Sequence, residues 1–209
     1  MADTVIDRLI DPPVSPGKMT YEEFLDWADD THAEWVDGEV VWMSPVSYVH
    51  QKISRFLFRL FCDFVDAKQC GEVLSDSFQM KTASSLPGRE PDILFVATEN
   101  LSHIKANHLE GPADLVVEIV SPESTERDRG AKFLEYEQGG VREYWLIDPL
   151  RTEADFYQLA SDGLYHPAVL DAAGCYHSIV MPGVWIKPDW FWEDPLPVVA
   201  DVKKLWGIT

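Results

Sequence analysis

Glu118 stands in the middle of an apolar run, Asp114-Leu-Val-Val-Glu-Ile-Val-Ser121. A carboxylate buried alone there would be costly to desolvate, so it calls for a base, a hydrogen-bond network or a metal ion. Asp92, 26 residues earlier, heads a second apolar run, Pro91-Asp-Ile-Leu-Phe-Val-Ala97. If the two runs are neighbouring strands, two carboxylates meet at one spot and repel unless a cation joins them. Oxygen ligands of this kind suit Mg²⁺ or Mn²⁺. Asp92 and Glu118 are therefore the candidate metal ligands. Downstream, Asp128, Lys132 and Tyr136 recur at i, i+4 and i+8 and form one stripe of a helix. Facing the metal, that stripe lets Lys132 orient a water or stabilise a pentavalent phosphate. The same spacing also fits a surface Asp–Lys pair beside a half-buried tyrosine.

The elements that must position these groups are readable in part. Thr20-Tyr-Glu-Glu23 has the form of a capping box and predicts a short helix to about Asp30. Glu34 to Met43 predicts a hairpin turning at Asp37-Gly38. Ile53, Phe56, Leu57, Leu60, Phe61 and Phe64 recur at helical steps within Ser47–Lys68. One strand is expected over Glu72–Thr82, a turn over Ser84–Gly88, and further strands over Pro91–Ala97 and Asp114–Ser121. On period two, Asp114, Val116, Glu118 and Val120 share a face, and the apolar residues between them imply a strand covered on both sides. Thr98–Gly111 reads as a short helix or loop. Ser124 or Thr125 caps a helix that ends at Gly139-Gly140, and Val141–Asp148 is the next strand. Short β segments follow at about 154–160, 164–170 and 175–181, with turns at Asp162-Gly163 and Ala173-Gly174. The expected layout is one α/β domain over 19–195, an irregular arm before it, and a tail from 196 that packs back.

Composition bounds the function. The 209 residues carry 17 basic and 36 acidic side chains, a net charge of −19, which argues against a surface that grips phosphate throughout. A local basic groove stays open, because Lys52, Arg55, Arg59, Lys68, Lys81 and Arg89 are concentrated in one stretch; solvated faces of both signs explain the same pattern. No run approaches the roughly 18 apolar residues of a membrane helix. The acidic start lacks a secretory apolar run, and three cysteines without CxxC spacing read as reduced thiols. A cytoplasmic protein without membrane partners is expected.

Taken in order, Glu34-Trp-Val-Asp-Gly-Glu39, His50, Pro91-Asp92, Val117-Glu-Ile-Val-Ser-Pro122, Thr125, Asp128, Lys132, Tyr136 and Val141–Pro149 resemble the Uma family of restriction-endonuclease-like proteins, in the PD-(D/E)XK nuclease superfamily. The resemblance spans about 19–190. It implies a restriction-endonuclease-like fold: a mixed, four-stranded central β-sheet flanked by helices, with additional β hairpins. It also implies metal-dependent hydrolysis of DNA phosphodiesters. Asp92 and Glu118 would hold the ion, with the Ile119 backbone carbonyl as third ligand. The superfamily's lysine is expected two residues after the glutamate, where this chain has Val120. Lys132 is the candidate replacement, as the residue that positions water or stabilises the transition state. Glu34 and His50 match family positions and count as auxiliary site residues with Asp128 and Tyr136. A homodimer would supply the two sites needed to cut both strands of a duplex.

Two other classes fit. A binding or regulatory module could keep the fold without turnover, as Val120 and the acidic charge suggest. An interaction protein of the toxin–antitoxin type would use the aromatic C-terminal region. There is no Walker loop, GxGxxG or GxSxG. His103 and His108 are spaced wrongly for a helical metal pair, and Trp185, Trp190, Trp192 and Trp206 read as core or dimer interface.

Overall fold

The computed structural model describes residues 17–28, 32–43, 46–75, 77–121 and 127–208. Thr20 caps α1 (Tyr21–Trp27): its hydroxyl accepts from Glu23 N, and the Glu23 side chain reaches back to Thr20 N. Asp29 and Asp30, within the expected end of this helix, lie outside the described residues. The hairpin forms as expected, β1 (Ala33–Val36) pairing with β2 (Glu39–Trp42). Asp37 and Gly38 both take positive φ, the geometry that matches a two-residue turn to strand twist. Helix α2 (Tyr48–Lys68) starts at the Ser47 cap and buries the apolar stripe from Ile53 to Val65.

The expected strand over 72–82 is two strands, β3 (Gly71–Ser75) and β4 (Gln79–Lys81), in different sheets. Ser77 between them takes a left-handed φ of 71°, which breaks the extended run. Gly88, the last residue of the expected turn, belongs instead to β5 (Gly88–Arg89). Strand β6 (Ile93–Ala97) leads to a 3-10 turn, Thr98–His103, and then to β7 (His108–Glu110), where a helix or loop was expected. Strand β8 (Leu115–Ile119) follows. The proposed caps Ser124 and Thr125, and Pro122, lie outside the described residues. The described helix begins as a π-turn, Arg127–Ala131, and continues as α3 (Lys132–Gly139), ending at Gly140 in the left-handed conformation. Then come β9 (Glu143–Asp148), β10 (Glu153–Leu159), β11 (Tyr165–Pro167), β12 (Tyr176–His177), β13 (Trp185–Ile186), a 3-10 turn at Pro188–Trp192, and α4 (Val199–Leu205).

The central sheet has the order β11-β10-β9-β8-β6-β3. The four strands β9-β8-β6-β3 at one end are mixed: β3–β6 and β6–β8 are antiparallel, and β8–β9 is parallel, as a strand–helix–strand crossover requires. The hairpin β10–β11 widens this four-stranded core. A second sheet, β2-β1-β5-β4-β7, and the pair β12-β13 complete the strands. Both faces of the central sheet are covered. Leu115, Val117 and Ile119 pack with the α2 stripe, and the C-terminal residues Val199, Val202, Trp206 and Ile208 join the same core. Val116 and Val120 pack on the other face with Tyr136, Tyr144 and Met80. Glu118 lies on this second face, inside protein.

Candidate metal centre and active site

The register between β6 and β8 decides the placement of the two carboxylates. Ile93 pairs with Val117, so Asp92 and Glu118 are opposite one another, one step past the last paired position. Asp92 ties the strands together there. Its Oδ2 accepts from Ile119 N at 2.6 Å, and its Oδ1 lies 3.0 Å from His50 Nε2, which α2 brings in from the other layer. Glu118 is buried, and its Oε1 accepts from Lys132 Nζ at 2.8 Å and from Tyr136 Oη at 2.6 Å.

Lys132 is the hub. Its ammonium is 1% exposed and lies 2.8 Å from Glu118, 3.0 Å from Glu34 Oε1 and 3.5 Å from Asp128 Oδ1. Burial alone would lower its pKa, but these carboxylates hold it well above the ordinary lysine value. Glu118 goes the other way for a carboxylate. Burial, with Asp128 and Asp92 nearby, pushes its pKa above the ordinary carboxylate value against the pull of Lys132. Three buried carboxylates share one ammonium here, and the fourth, Asp92, stands beside them.

Glu34 extends the network outward from β1. Its Oε2 accepts from Arg89 Nη1 at 2.8 Å and lies 3.7 Å from Arg127 Nε. Burial would raise its pKa, but Lys132, Arg89 and Arg127 together lower it to about 2. Arg89 also makes a two-pronged contact with Glu135, at 2.7 and 2.8 Å. His50, Asp92, Glu118, Asp128, Arg127 and Lys132 line one cavity of about 160 Å³, with Trp42, Met43 and Val46 on its apolar side.

This fold and this carboxylate–lysine arrangement can be set against known proteins. The model of the Uma2 family, described as "Putative restriction endonuclease", matches residues 21–189. The chain belongs to this family. It is 29% identical over 150 residues to the uncharacterized protein slr1290 of Synechocystis sp. (strain ATCC 27184 / PCC 6803 / Kazusa), a match covering 70% of this chain and 77% of that one. It is also similar to the crystal structure of a "putative nuclease belonging to DUF820" from Anabaena variabilis ATCC 29413. There the TM-score is 0.68 at 16% identity, over 83% of this chain and 97% of that one. The structural likeness bears on the fold: the expected mixed sheet flanked by helices, with added hairpins, is the fold found.

Within this Uma2 chain, all the expected site side chains come together. Glu118, Lys132, Glu34, Asp128 and Tyr136 form one connected network, and the Asp92–His50 pair lines the same cavity as Glu118, Asp128, Lys132 and Ile119. Asp128, Lys132 and Tyr136 are buried, which excludes the surface Asp–Lys pair. Oxygen donors dominate the cavity, and among the described residues Glu118 Oε2 accepts no hydrogen bond. An excess of buried carboxylates with an open oxygen fits a hard divalent ion. Among the described residues no group of three or more His, Cys, Asp or Glu side chains encloses an ion by itself. An ion on Asp92 and Glu118 would therefore take further oxygens from backbone, water or substrate.

Arg89 and Arg127 also belong to the site, at positions that residue spacing does not single out. Arg89 belonged to the expected basic groove, yet it is buried between Glu34 and Glu135. Lys81 is not available to that groove either: it sits over the rings of Tyr21 and Trp35 and donates to Leu86 O. Lys52, Arg55 and Arg59 do share one side of α2, where they border a separate cleft of about 390 Å³ facing Asp194 to Ala200. The one available signal for Arg89 was its place in Arg89-Glu-Pro-Asp92, next to the motif. Among the described residues no helix is long and apolar enough to cross a membrane.

Proposed function

We propose that this protein is a metal-dependent DNA endonuclease whose Mg²⁺ or Mn²⁺ is held by Asp92 and Glu118, with the Ile119 carbonyl as a further donor. One observation carries the reading: two carboxylates face each other across β6 and β8, and the Glu118 carboxylate is held by Lys132. When bound, such an ion would neutralise charge developing on the phosphoryl oxygens. The chain's own groups have separate tasks. Asp92 fixes the ends of two strands through Ile119 N and is itself held by His50. Lys132 and Tyr136 hold Glu118 Oε1, which keeps its other oxygen free for an ion. Lys132 also balances the charge of Glu34 and Asp128, a positioning role compatible with its enclosure.

The test is nicking of supercoiled plasmid DNA in Mg²⁺ or Mn²⁺. Nicking by the wild type, lost in Asp92→Asn and Glu118→Gln, supports the reading. Nicking that survives both substitutions contradicts it. A second reading, a binding module that keeps the fold without turnover, draws on Val120 in the expected lysine position and on the enclosed Lys132. It predicts DNA binding without cleavage in either ion. A homodimer, expected for cutting both strands, would appear as doubled mass in sedimentation equilibrium.

A further inference from the structure

We propose that Arg127, rather than Lys132, is the cation that receives a substrate phosphate; this rests on the nuclease reading above. An incoming phosphodiester carries negative charge into a cavity already lined by Asp92, Glu118 and Asp128. Lys132 is poorly placed to meet it. An ammonium has three N–H groups, and three carboxylates stand around this one at 2.8, 3.0 and 3.5 Å in a side chain that is 1% exposed. Turning to a phosphate would strip a buried carboxylate of its counter-charge. His50 is committed to Asp92.

Arg127 lines the same cavity with its side chain 24% exposed. Its carboxylate neighbour, Glu34 Oε2, is 3.7 Å from Nε, beyond hydrogen-bond reach, and already accepts from Arg89. Its other contact is Nη2 to Met43 Sδ at 3.9 Å, a weak acceptor. Among the described residues Nε has no hydrogen-bond partner. Arg127 is therefore a guanidinium at the cavity whose donors are largely unspent. Its planar fork matches two phosphate oxygens, a geometry that a point-charge ammonium lacks.

The experiment measures binding of a short fluorescein-labelled DNA duplex by anisotropy, over a salt series. Ca²⁺ is supplied, since it takes the same oxygen donors. Arg127→Gln should weaken binding by roughly tenfold or more and make the salt slope shallower by about one. The protein's thermal midpoint should hold, because Arg89 and Lys132 still balance Glu34. Arg127→Lys, which keeps the charge, should retain the slope but bind several-fold more weakly, and it decides the matter if the glutamine variant does not fold. Wild-type affinity and slope in the glutamine variant, or wild-type affinity in the lysine variant, overturn the role of Arg127 while leaving the nuclease reading in place. A wild type that does not bind the duplex overturns both.

Discussion

Lys132 Nζ lies 2.8 Å from Glu118 Oε1, though the residues are 14 apart in sequence and on different elements. The strand buries the carboxylate and the following helix delivers its counter-charge. Glu34 and Asp128 then crowd the same ammonium, which leaves the buried cluster rich in negative charge. That imbalance is what a divalent ion would relieve.

Removing the ammonium should therefore be severe. Lys132→Met removes the counter-charge that Glu118, Glu34 and Asp128 share and should cost about 3–5 kcal/mol in urea unfolding. Adding Glu118→Gln should recover part of the loss, because one of the stranded charges is gone. Mn²⁺ should also narrow the gap between Lys132→Met and wild type. A loss below 1 kcal/mol would mean that Lys132 acts as an ordinary surface cation.

Tyr136→Phe tests the second donor on Glu118. Its hydroxyl is buried and donates at 2.6 Å to the buried Glu118 carboxylate. Losing it should cost roughly 1.5–3 kcal/mol, read from denaturant midpoints at neutral pH. The fold should otherwise hold, since the ring keeps its packing against Tyr144.

Glu34 gives a pH signature. Its pKa in the folded chain is about 2, below the ordinary 4.5, so the folded state favours the charged form. The stability this adds is fully present above pH 4.5 and is lost as pH falls towards 2. The amount is on the order of 3 kcal/mol at neutral pH. Urea midpoints measured across that acid range should fall steeply for wild type and less steeply for Glu34→Gln.

Much of this site was legible because its chemistry conflicts with its surroundings. Glu118 stood out as a carboxylate inside an apolar strand, and Asp92 as its match on another. Lys132 followed from helical spacing, although the turn before it is a π-turn, where strict i+4 arithmetic fails. What stayed hidden depended on distant partners. Arg89 looked like part of a phosphate-gripping surface, because sequence alone does not say whether an arginine faces a phosphate or a carboxylate 55 residues away. The second sheet was hidden for another reason. Its β4, β5 and β7 are two or three residues long, too short to show an alternating period. The break between β3 and β4 turns on the backbone of Ser77, whose left-handed φ is uncommon for a residue other than glycine.

The central claim is that Asp92 and Glu118 together hold a divalent ion. Titration calorimetry with Mn²⁺ on wild type, Asp92→Asn and Glu118→Gln tests it most directly, with thermal midpoints confirming that all three are folded. The account predicts a binding heat in the wild type that disappears in each variant. Undiminished Mn²⁺ affinity in either folded variant would contradict it.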